Sequence, residues 1–299
     1  MKDLEMKIGI FGKALSEEML PHLLFLHREL RAAGVSITTY KPFYELLYEQ
    51  LYNRGTIVPD SETFSKPGEI RGKIDYLLSI GGDGTLLDTI GLVSDSDIPI
   101  LGINLGRLGF LSAVSKDEIH EAVACLKTKN FLIENHSLLS VCNGLTDIYK
   151  YALNELSIQK DHPTSLLTIN VYVNGDFLNS YYGDGILVAT PTGSTAYSLS
   201  CGGPIISPDA NAFVITPIAT HNLTVRPIII PDSSRITLKV EGRDNRYIFG
   251  LDSHIIHSHS GNEIQVCKAD FSLKLVRMPH KDFFTTLREK LHWGIDKRN

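Results

Sequence analysis

The sequence predicts a two-domain protein with an α/β domain first and an all-β domain second. Two observations support this fold class. Up to about residue 132, short apolar runs alternate with amphipathic helical patterns, as in a parallel sheet connected by helices. Beyond that point, runs with alternating polarity follow one another with turn residues between them, which is typical of antiparallel strands. With 299 residues, the chain has a usual length for two domains.

The first half predicts a Rossmann-like, doubly wound parallel sheet. We expect strands at residues 7–12, 35–40, 76–80 and 98–104, and helices at residues 16–31, 42–51 and 115–129. Ser115 and Glu118 have the spacing of a helix capping box, which marks the start of the last of these helices. Residues 53–73 are rich in Gly, Pro, Ser and Thr and predict a mobile loop.

The second half predicts a β-sandwich closed by one helix. We expect strands at residues 138–142, 149–158, 166–173, 177–182, 186–189, 213–216, 235–240, 247–251, 264–267 and 271–276. Asn143-Gly144 and Asn174-Gly175 are hairpin-turn signals. The helix at residues 282–291 is expected to pack back on the first domain. The predicted domains are therefore residues 1–132 and 133–280, with residues 281–299 returning to the first.

A glycine-rich turn follows the predicted strand at residues 76–80. Gly81, Gly82 and Gly84 surround Asp83, and Thr85 and Asp88 have capping-box spacing, so a helix is expected to start at once. Such a turn exposes amide groups that bind anions. A carboxylate among them suggests chemistry, because it can hold a Mg²⁺ ion or accept the proton of an attacking hydroxyl. The alternative is an ordinary turn with a solvated Asp.

Composition excludes several classes of protein. The net charge of −5 argues against a broad nucleic-acid or membrane surface. No apolar segment has membrane-spanning length, and no signal-peptide pattern is present, so we expect a cytoplasmic protein. The four cysteines are far apart in sequence and form no Cys-x-x-Cys pair, which argues against a disulfide framework or a structural zinc site.

The second half contains further polar clusters next to apolar runs. Asn154-Glu155 interrupts a strand, and an amide beside a carboxylate can bind a nucleoside, although such a pair is often structural. Asp184 lies between Gly183 and Gly185, directly before the hydroxyl-rich segment at residues 191–198. This segment is either a solvated turn or a ligand site. His254, His257 and His259 lack a third metal ligand with a familiar spacing and are interpreted as surface or core residues.

Taken together, these motifs resemble those of the NAD kinases. The motifs that carry the resemblance occur in the family's order, and they are Gly81-Gly82-Asp83-Gly84-Thr85, Asn104-Leu105-Gly106-Arg107-Leu108-Gly109-Phe110-Leu111, Ala152-Leu153-Asn154-Glu155, Gly183-Asp184-Gly185, Pro191-Thr192-Gly193-Ser194-Thr195-Ala196-Tyr197 and Arg226-Pro227. The first motif is also similar to that of diacylglycerol, sphingosine and phosphofructo-kinases. The later motifs are specific to the NAD kinase branch.

The resemblance implies phosphorylation of the adenosine-ribose 2′-hydroxyl of NAD by ATP or polyphosphate, with a divalent cation such as Mg²⁺ or Mn²⁺, to give NADP. It implies that Asp83 is catalytic and could also contact the metal. The positions that it implies for ligand binding are Gly82, Gly84, Thr85, Arg107, Phe110, Asn154, Glu155, Asp184, Thr195, Ala196, Tyr197, Ser200 and Ala219. It also implies a homodimer or homotetramer.

Two positions depart from the family pattern. Tyr182 stands before Gly183 where bacterial members often have Arg, and Asp252-Ser253 stands where an Asp-Gly is usual. Contacts of those two positions are therefore not transferred. Two rival functions remain at this point: a lipid or sphingoid kinase of the same superfamily, and a non-catalytic sensor that binds NADP.

Overall fold

A computed structural model of the chain describes residues 6–106, 109–112, 114–143, 150–242, 246–261 and 263–292. The chain divides into two compact units. Unit 1 contains Met1–Asn135 and Lys274–Asn299, and unit 2 contains His136–Leu273. The divisions that the sequence predicts, at residues 132/133 and 280/281, stay a prediction.

The strands, in chain order, are β1 Lys7–Gly12, β2 Ser36–Tyr40, β3 Glu62–Phe64, β4 Tyr76–Ile80, β5 Ile100–Asn104, β6 Val114–Ser115, β7 Leu132–Val141, β8 Tyr151–Ala152, β9 Glu155–Lys160, β10 Leu167–Val173, β11 Asp176–Gly183, β12 Gly185–Ala189, β13 Ala212–Ile218, β14 Ile228–Pro231, β15 Ile236–Gly242, β16 Arg246–Leu251, β17 His254–His259 and β18 Glu263–Arg277. The helices are α1 Leu20–Ala32, α2 Lys41–Tyr52, α3 Asp83–Asp88, α4 Ile90–Val93, α5 Ile119–Thr128, α6 Tyr197–Ser200 and α7 Phe283–Leu291. Single 3-10 turns lie at Glu17–Met19, Pro67–Glu69, Lys116–Glu118 and Thr192–Thr195.

Unit 1 is built on a parallel sheet with the strand order β3-β2-β1-β4-β5, and β6 pairs with β5. The central strands β1, β4 and β5 are almost entirely buried, which explains why their sequences are apolar without alternation. Leu23, Leu26 and Leu30 of α1 pack in the same core as Ile8 and Ile10 of β1. The predicted parallel α/β fold is confirmed.

Unit 2 contains two antiparallel layers. One sheet has the order β14-β13-β12-β9-β16-β17, and the other contains β11-β10-β15-β18 with β7 and β8 beside it. Apolar side chains of both layers form one core, including Leu156 and Val188 of the first and Ile169, Leu238 and Val266 of the second. Two sheets around a shared core make a sandwich, as predicted.

Several local predictions need correction. The segment at residues 53–73 contains the edge strand β3 and a 3-10 turn, because Phe64 is buried and Thr38 and Tyr40 of β2 pair with the strand. The predicted strand at residues 149–158 is two strands, β8 and β9, separated at Leu153-Asn154. The predictions at 264–267 and 271–276 are one strand, β18.

Two turn predictions had different outcomes. Asn174 and Gly175 both have positive φ, 53° and 93°, as the predicted hairpin requires. The other signal, Asn143-Gly144, involves Gly144, which lies outside the described residues. The capping box of Ser115 and Glu118 is present, with both reciprocal bonds.

The cysteine prediction is wrong for one pair. Cys142 follows β7 and Cys267 lies in β18, and their sulfurs form a disulfide across 125 residues of chain. Cys142 N–H also donates to the Gln265 carbonyl at 2.8 Å. Sequence distance was misleading because the sandwich brings the two segments together. Cys125 and Cys201 are free thiols.

Candidate functional site

The glycine-rich turn of unit 1 places Asp83 at the carboxyl end of β4. Gly81 has φ +148°, and Gly82 is the N-cap of α3, with no side-chain cap. The predicted capping box of Thr85 and Asp88 is therefore wrong, because the helix already starts at Asp83. A Cβ on Gly81 would lie 2.4 Å from Thr85 Oγ1, so close packing as well as backbone conformation requires glycine here.

The carboxylate of Asp83 binds the second glycine corner, which follows the neighbouring parallel strand β5. Phe110 N–H donates to Oδ2 at 2.7 Å, and the N–H groups of Leu111 and Ser112 donate to Oδ1 at 3.1 and 3.2 Å. The two corners thus meet at one edge of the sheet, as the sequence predicts. The carboxylate of Asp83 is thus bound by backbone amides rather than left to solvent.

The hydrogen bonds that the described residues donate to Asp83 leave one of its acceptor positions unused. An ionised carboxylate has about four lone-pair sites. Two amides use Oδ1, whereas one amide uses Oδ2. The side chain is therefore held in one orientation, and Oδ2 can still accept one further hydrogen bond.

Glycine and asparagine residues keep this corner tight. A Cβ on Gly109 would lie 2.1 Å from Asp83 Oδ1, so no larger residue fits there without moving the carboxylate. Asn104, the last residue of β5, accepts the Gly106 N–H at 2.9 Å through Oδ1. By contrast, a Cβ on Gly84 would meet nothing within 4 Å. Gly84 is exposed and leaves open space beside Asp83.

A cation lies at the same edge of the unit 1 sheet. Lys13 directly follows β1, and its Nζ is 2.7 Å from Oδ2 of Asp88 at the end of α3. The lysine side chain is 57% exposed. A basic group at the carboxyl ends of parallel strands is well placed to lower the electrostatic cost of binding phosphates.

A second cluster lies in unit 2 at the break between β8 and β9. The Asn154 carbonyl accepts the Thr190 N–H at 2.9 Å, and Thr190 Oγ1 donates to the Leu153 carbonyl. Gly193 lies directly against Asn154, since a Cβ on Gly193 would be 2.0 Å from the Asn154 carbonyl oxygen. The hydroxyl-rich segment thus packs on the Asn154-Glu155 pair, so it is not simply a solvated turn.

Glu155 has an unusual environment for a carboxyl group. It accepts a hydrogen bond from the Tyr197 N–H, and its Oε2 is buried with no protein partner among the described residues. Burial, with a smaller contribution from the Asp252 charge, raises the pKa of Glu155 to about 7. A buried acceptor without a partner commonly marks a place where a ligand or water supplies the donor.

Asp184 and Ala219 lie together on the same unit. Asp184 N–H donates to the Ile218 carbonyl at 3.0 Å, and its carboxylate pairs with Lys160 Nζ at 2.7 Å. Ala219 has a positive φ of 44°, and its carbonyl oxygen would be 2.9 Å from a Cβ on Gly183. The charges of Asp184 and Glu155 add to the burial that raises the pKa of Tyr197, so these side chains share one electrostatic environment.

The other implied ligand positions have simpler surroundings. Thr195 and Ala196 are partly buried, whereas Tyr197 and Ser200 on α6 are exposed. Tyr182, which replaces the usual Arg, is 53% exposed and lies beside Gly183. Arg107 lies outside the described residues.

Sequence reasoning missed two residues that shape the cluster. Thr190 connects Leu153 with the Gly193 amide, which donates to Thr190 Oγ1 at 3.1 Å. His136 is buried, and its Nδ1 lies 2.8 Å from Thr192 Oγ1. Thr190 stands alone at the end of a strand, and His136 lies within an ordinary strand, so neither belongs to a recognisable sequence motif. No signal in one sequence would have identified them.

The three histidines that the sequence singles out lie on β17. His257 and His259 lie on the exposed face of β17, and His254 lies on the other face. Within the described ranges, no three His, Cys, Asp or Glu side chains are grouped as metal ligands. No helix there combines the length and apolar character that a membrane span requires.

Both halves of the chain match profiles of one protein family. The ATP-NAD kinase N-terminal domain matches residues 8–131, and the ATP-NAD kinase C-terminal domain matches residues 153–278. A NAD kinase of Flavobacterium johnsoniae is 40% identical over 298 residues, covering 98% of this chain and 100% of that protein. NAD kinases of Cytophaga hutchinsonii and Bacteroides fragilis are each 38% identical, with the same coverage.

Two solved structures have the same fold. Yeast NADH kinase complexed with NADH aligns with a TM-score of 0.83 at 23% identity, covering 99% of this chain and 90% of that chain. An NAD kinase from Archaeoglobus fulgidus in complex with ATP aligns with a TM-score of 0.72 at 24% identity, covering 96% and 99%. These two support the fold alone. Because the profiles span most of the chain and the bacterial relatives match over its length, the chain belongs to the NAD kinase family.

Proposed function

We propose that this NAD kinase transfers the γ-phosphoryl group of ATP to the 2′-hydroxyl of the adenosine ribose of NAD, giving NADP and ADP. The hydrogen bonding of Asp83 supports its assignment as the group that accepts the hydroxyl proton. Three backbone amides hold the carboxylate, and within the described part of the chain one acceptor position on Oδ2 stays unused.

Asp83 accepts the proton of the ribose hydroxyl in this proposal. The 2′-oxygen then forms a bond to the γ-phosphorus, while the bond from that phosphorus to the bridging oxygen breaks and ADP leaves. Phosphoryl transfer requires positioning and charge stabilisation rather than covalent work by the protein. The open space beside Gly84 would let the reacting groups approach the backbone closely. Gly82, Thr85 and Phe110 belong to the same proposed region. Arg107 is assigned to ligand binding from the family resemblance alone.

Unit 2 is proposed to bind the dinucleotide. The Asn154 amide is suited to the adenine edge, because an amide offers a donor and an acceptor together. The unpartnered Glu155 Oε2 is suited to hydroxyl donors. Asp184 and Ala219 are proposed to contact the nicotinamide half. Thr195, Ala196, Tyr197 and Ser200 complete the proposed set.

A divalent cation, Mg²⁺ or Mn²⁺, is part of the proposal through ATP. Mg²⁺ is usually bound by substrate phosphates with only one or two carboxylates, rather than by a cage of protein ligands. The described side chains fit that mode, since no three possible metal ligands are grouped among them and the remaining acceptor position of Asp83 is assigned to the ribose hydroxyl, so the substrate phosphates would hold the ion. The ion would neutralise charge on the triphosphate.

The decisive assay measures NADP formation with purified protein. ATP and polyphosphate are compared as donors, each with and without Mg²⁺, and NAD, NADH and a diacylglycerol are compared as acceptors. We expect NADP from NAD with ATP and Mg²⁺, and no phosphorylation of the lipid. If no donor gives NADP, the chain is a sensor or acts on another substrate. Phosphorylated lipid would support the rival kinase.

Assembly and location complete the proposal. A homodimer or homotetramer is proposed from the family resemblance, and analytical ultracentrifugation tests it. A cytoplasmic location is proposed as well, and cell fractionation tests it.

A further inference from the structure

The turn between β16 and β17 carries a carboxylate that none of the proposed chemistry uses. Asp252 has a positive φ of 50°. Its own N–H donates to the Glu155 carbonyl at 3.0 Å. Asp accepts such a backbone more readily than most residues, because its short polar side chain bonds locally. The turn is thereby attached to the start of β9.

The Asp252 side chain accepts three consecutive backbone amides. Leu153 N–H donates to Oδ2 at 2.7 Å, and the N–H groups of Asn154 and Glu155 donate to Oδ1 at 2.8 and 3.0 Å. Leu153 and Asn154 separate β8 from β9, and Glu155 is the first residue of β9. An interrupted strand leaves amides without ladder partners, and one buried carboxylate supplies acceptors for all three.

This arrangement repeats the one at Asp83. There, too, one carboxylate accepts three successive amides of a corner. The two carboxylates differ in what they bind. Asp252 accepts hydrogen bonds from the backbone of Asn154 and Glu155, whose side chains are proposed to bind adenosine. Charge-assisted hydrogen bonds are stronger than neutral ones and fix orientation.

We infer that Asp252 is a positioning residue that holds the Asn154-Glu155 backbone in the conformation required to bind NAD. The inference rests on the proposed function. It predicts that Asp252 controls the affinity for NAD and has little influence on the affinity for ATP or on the chemical step. A residue that merely stabilised the fold would lower the amount of active enzyme, and with it the apparent kcat, and would leave both KM values unchanged.

The experiment compares Asp252→Asn and Asp252→Ala with the wild-type protein. Asn can keep the two amides on one oxygen, but its NH₂ group then faces the third N–H. Ala loses all three acceptors. We expect the KM for NAD to rise about tenfold in Asp252→Asn and about a hundredfold in Asp252→Ala. We expect the KM for ATP and kcat to change less than about threefold at saturating NAD.

A matched control separates positioning from general stability. Asp232 is also a buried carboxylate of unit 2, and it pairs with Lys268 Nζ. It directly follows β14, which lies three strands away from β9 in the sheet. We expect Asp232→Asn to lower the melting temperature and to leave the KM for NAD unchanged. If the KM for NAD rises equally in Asp232→Asn and Asp252→Asn, the inference is overturned.

A double-mutant cycle tests the route of the effect. If Asp252 acts through Asn154, then Asn154→Ala should remove most of the additional loss caused by Asp252→Asn, so the two effects are far from additive. Additive losses would contradict the inference. Should Asp252→Ala fail to fold, Asp252→Asn and this cycle still decide the matter.

Failure of the proposed function has a different signature. Wild-type protein that neither binds NAD in calorimetry nor forms NADP refutes the function itself. Wild-type protein that forms NADP while Asp252→Ala keeps a normal KM for NAD refutes the inference alone.

Discussion

At the scale of single residues, the binding of Asp83 by three amides gives the clearest prediction. We expect Asp83→Asn to lower kcat by about two to four orders of magnitude, because an amide cannot accept the hydroxyl proton. The KM for ATP should change little. Steady-state kinetics measures both, with circular dichroism as the control for folding. A variant with near-normal kcat would show that another group accepts the proton.

Alanine substitutions at two glycines beside Asp83, Gly84 and Gly109, are expected to have different effects. Gly84→Ala adds a methyl group to open space with an ordinary φ, so its melting temperature should stay within a few degrees of the wild-type value. Its KM for ATP or NAD should rise about tenfold or more, if a substrate group approaches the backbone there. Thermal unfolding and kinetics measure the two effects.

Gly109→Ala is the contrasting variant. Its Cβ would overlap Asp83 Oδ1, which is only 2.1 Å away, so the carboxylate must move and kcat should fall. If Gly84→Ala retains wild-type KM values for both substrates, the space beside Gly84 is not a substrate site.

At the scale of elements, a disulfide connects the end of β7 with β18, and its contribution to thermal stability can be measured. The Cys142–Cys267 disulfide closes a loop of 125 residues in sequence separation. Bonds of this type typically stabilise proteins by about 2–4 kcal/mol. Reduction should therefore lower the melting temperature by about 5–10 °C.

The disulfide prediction is tested by thermal unfolding with and without reductant. Peptide mapping without reduction should find Cys142 linked to Cys267. Cys142→Ser is the control, and its melting temperature should not respond to reductant. Four free thiols in the unreduced, unfolded protein would show that the bond does not form. In a reducing compartment the protein would lack this contribution to stability.

At the scale of the whole molecule, buried carboxyl groups couple folding to pH. Burial raises the pKa of Glu155 from 4.5 to about 7 and that of Asp252 from 3.8 to about 6. A carboxyl group whose folded pKa is raised contributes stability that is fully present below its unfolded pKa. That contribution is lost as the pH rises through the folded pKa.

Glu155→Gln removes one of these titrations and so isolates its effect. Relative to wild type, the variant should gain stability between pH 5 and pH 8, by on the order of 1–3 kcal/mol. Thermal unfolding of both proteins across this range measures the difference. Asp184→Asn is the matched control, because its carboxylate pairs with Lys160. A pH-independent difference for Glu155→Gln would contradict the assigned burial.

Much of the architecture followed from local patterns. Buried parallel strands such as β4 have apolar sequences because both faces are covered, and the limits predicted for β1 and β4 agree with the structure. The hydrophobic pattern did not predict an element that depends on pairing with a neighbouring strand. The edge strand β3 is only three residues long and exists because β2 provides a partner, and no local sequence signal specifies that.

The amino-acid sequence by itself determined the fold class and the two glycine corners, and it predicted Asp83 as the candidate catalytic residue. These depend on residue type and short-range spacing. The tertiary structure alone decided which groups those residues contact. It brought Asp83 to the amides of Phe110, Leu111 and Ser112, Asp252 to Asn154 and Glu155, and Cys142 to Cys267. Such partners lie between 27 and 125 residues apart, and only the packing of sheets brings them within bonding distance.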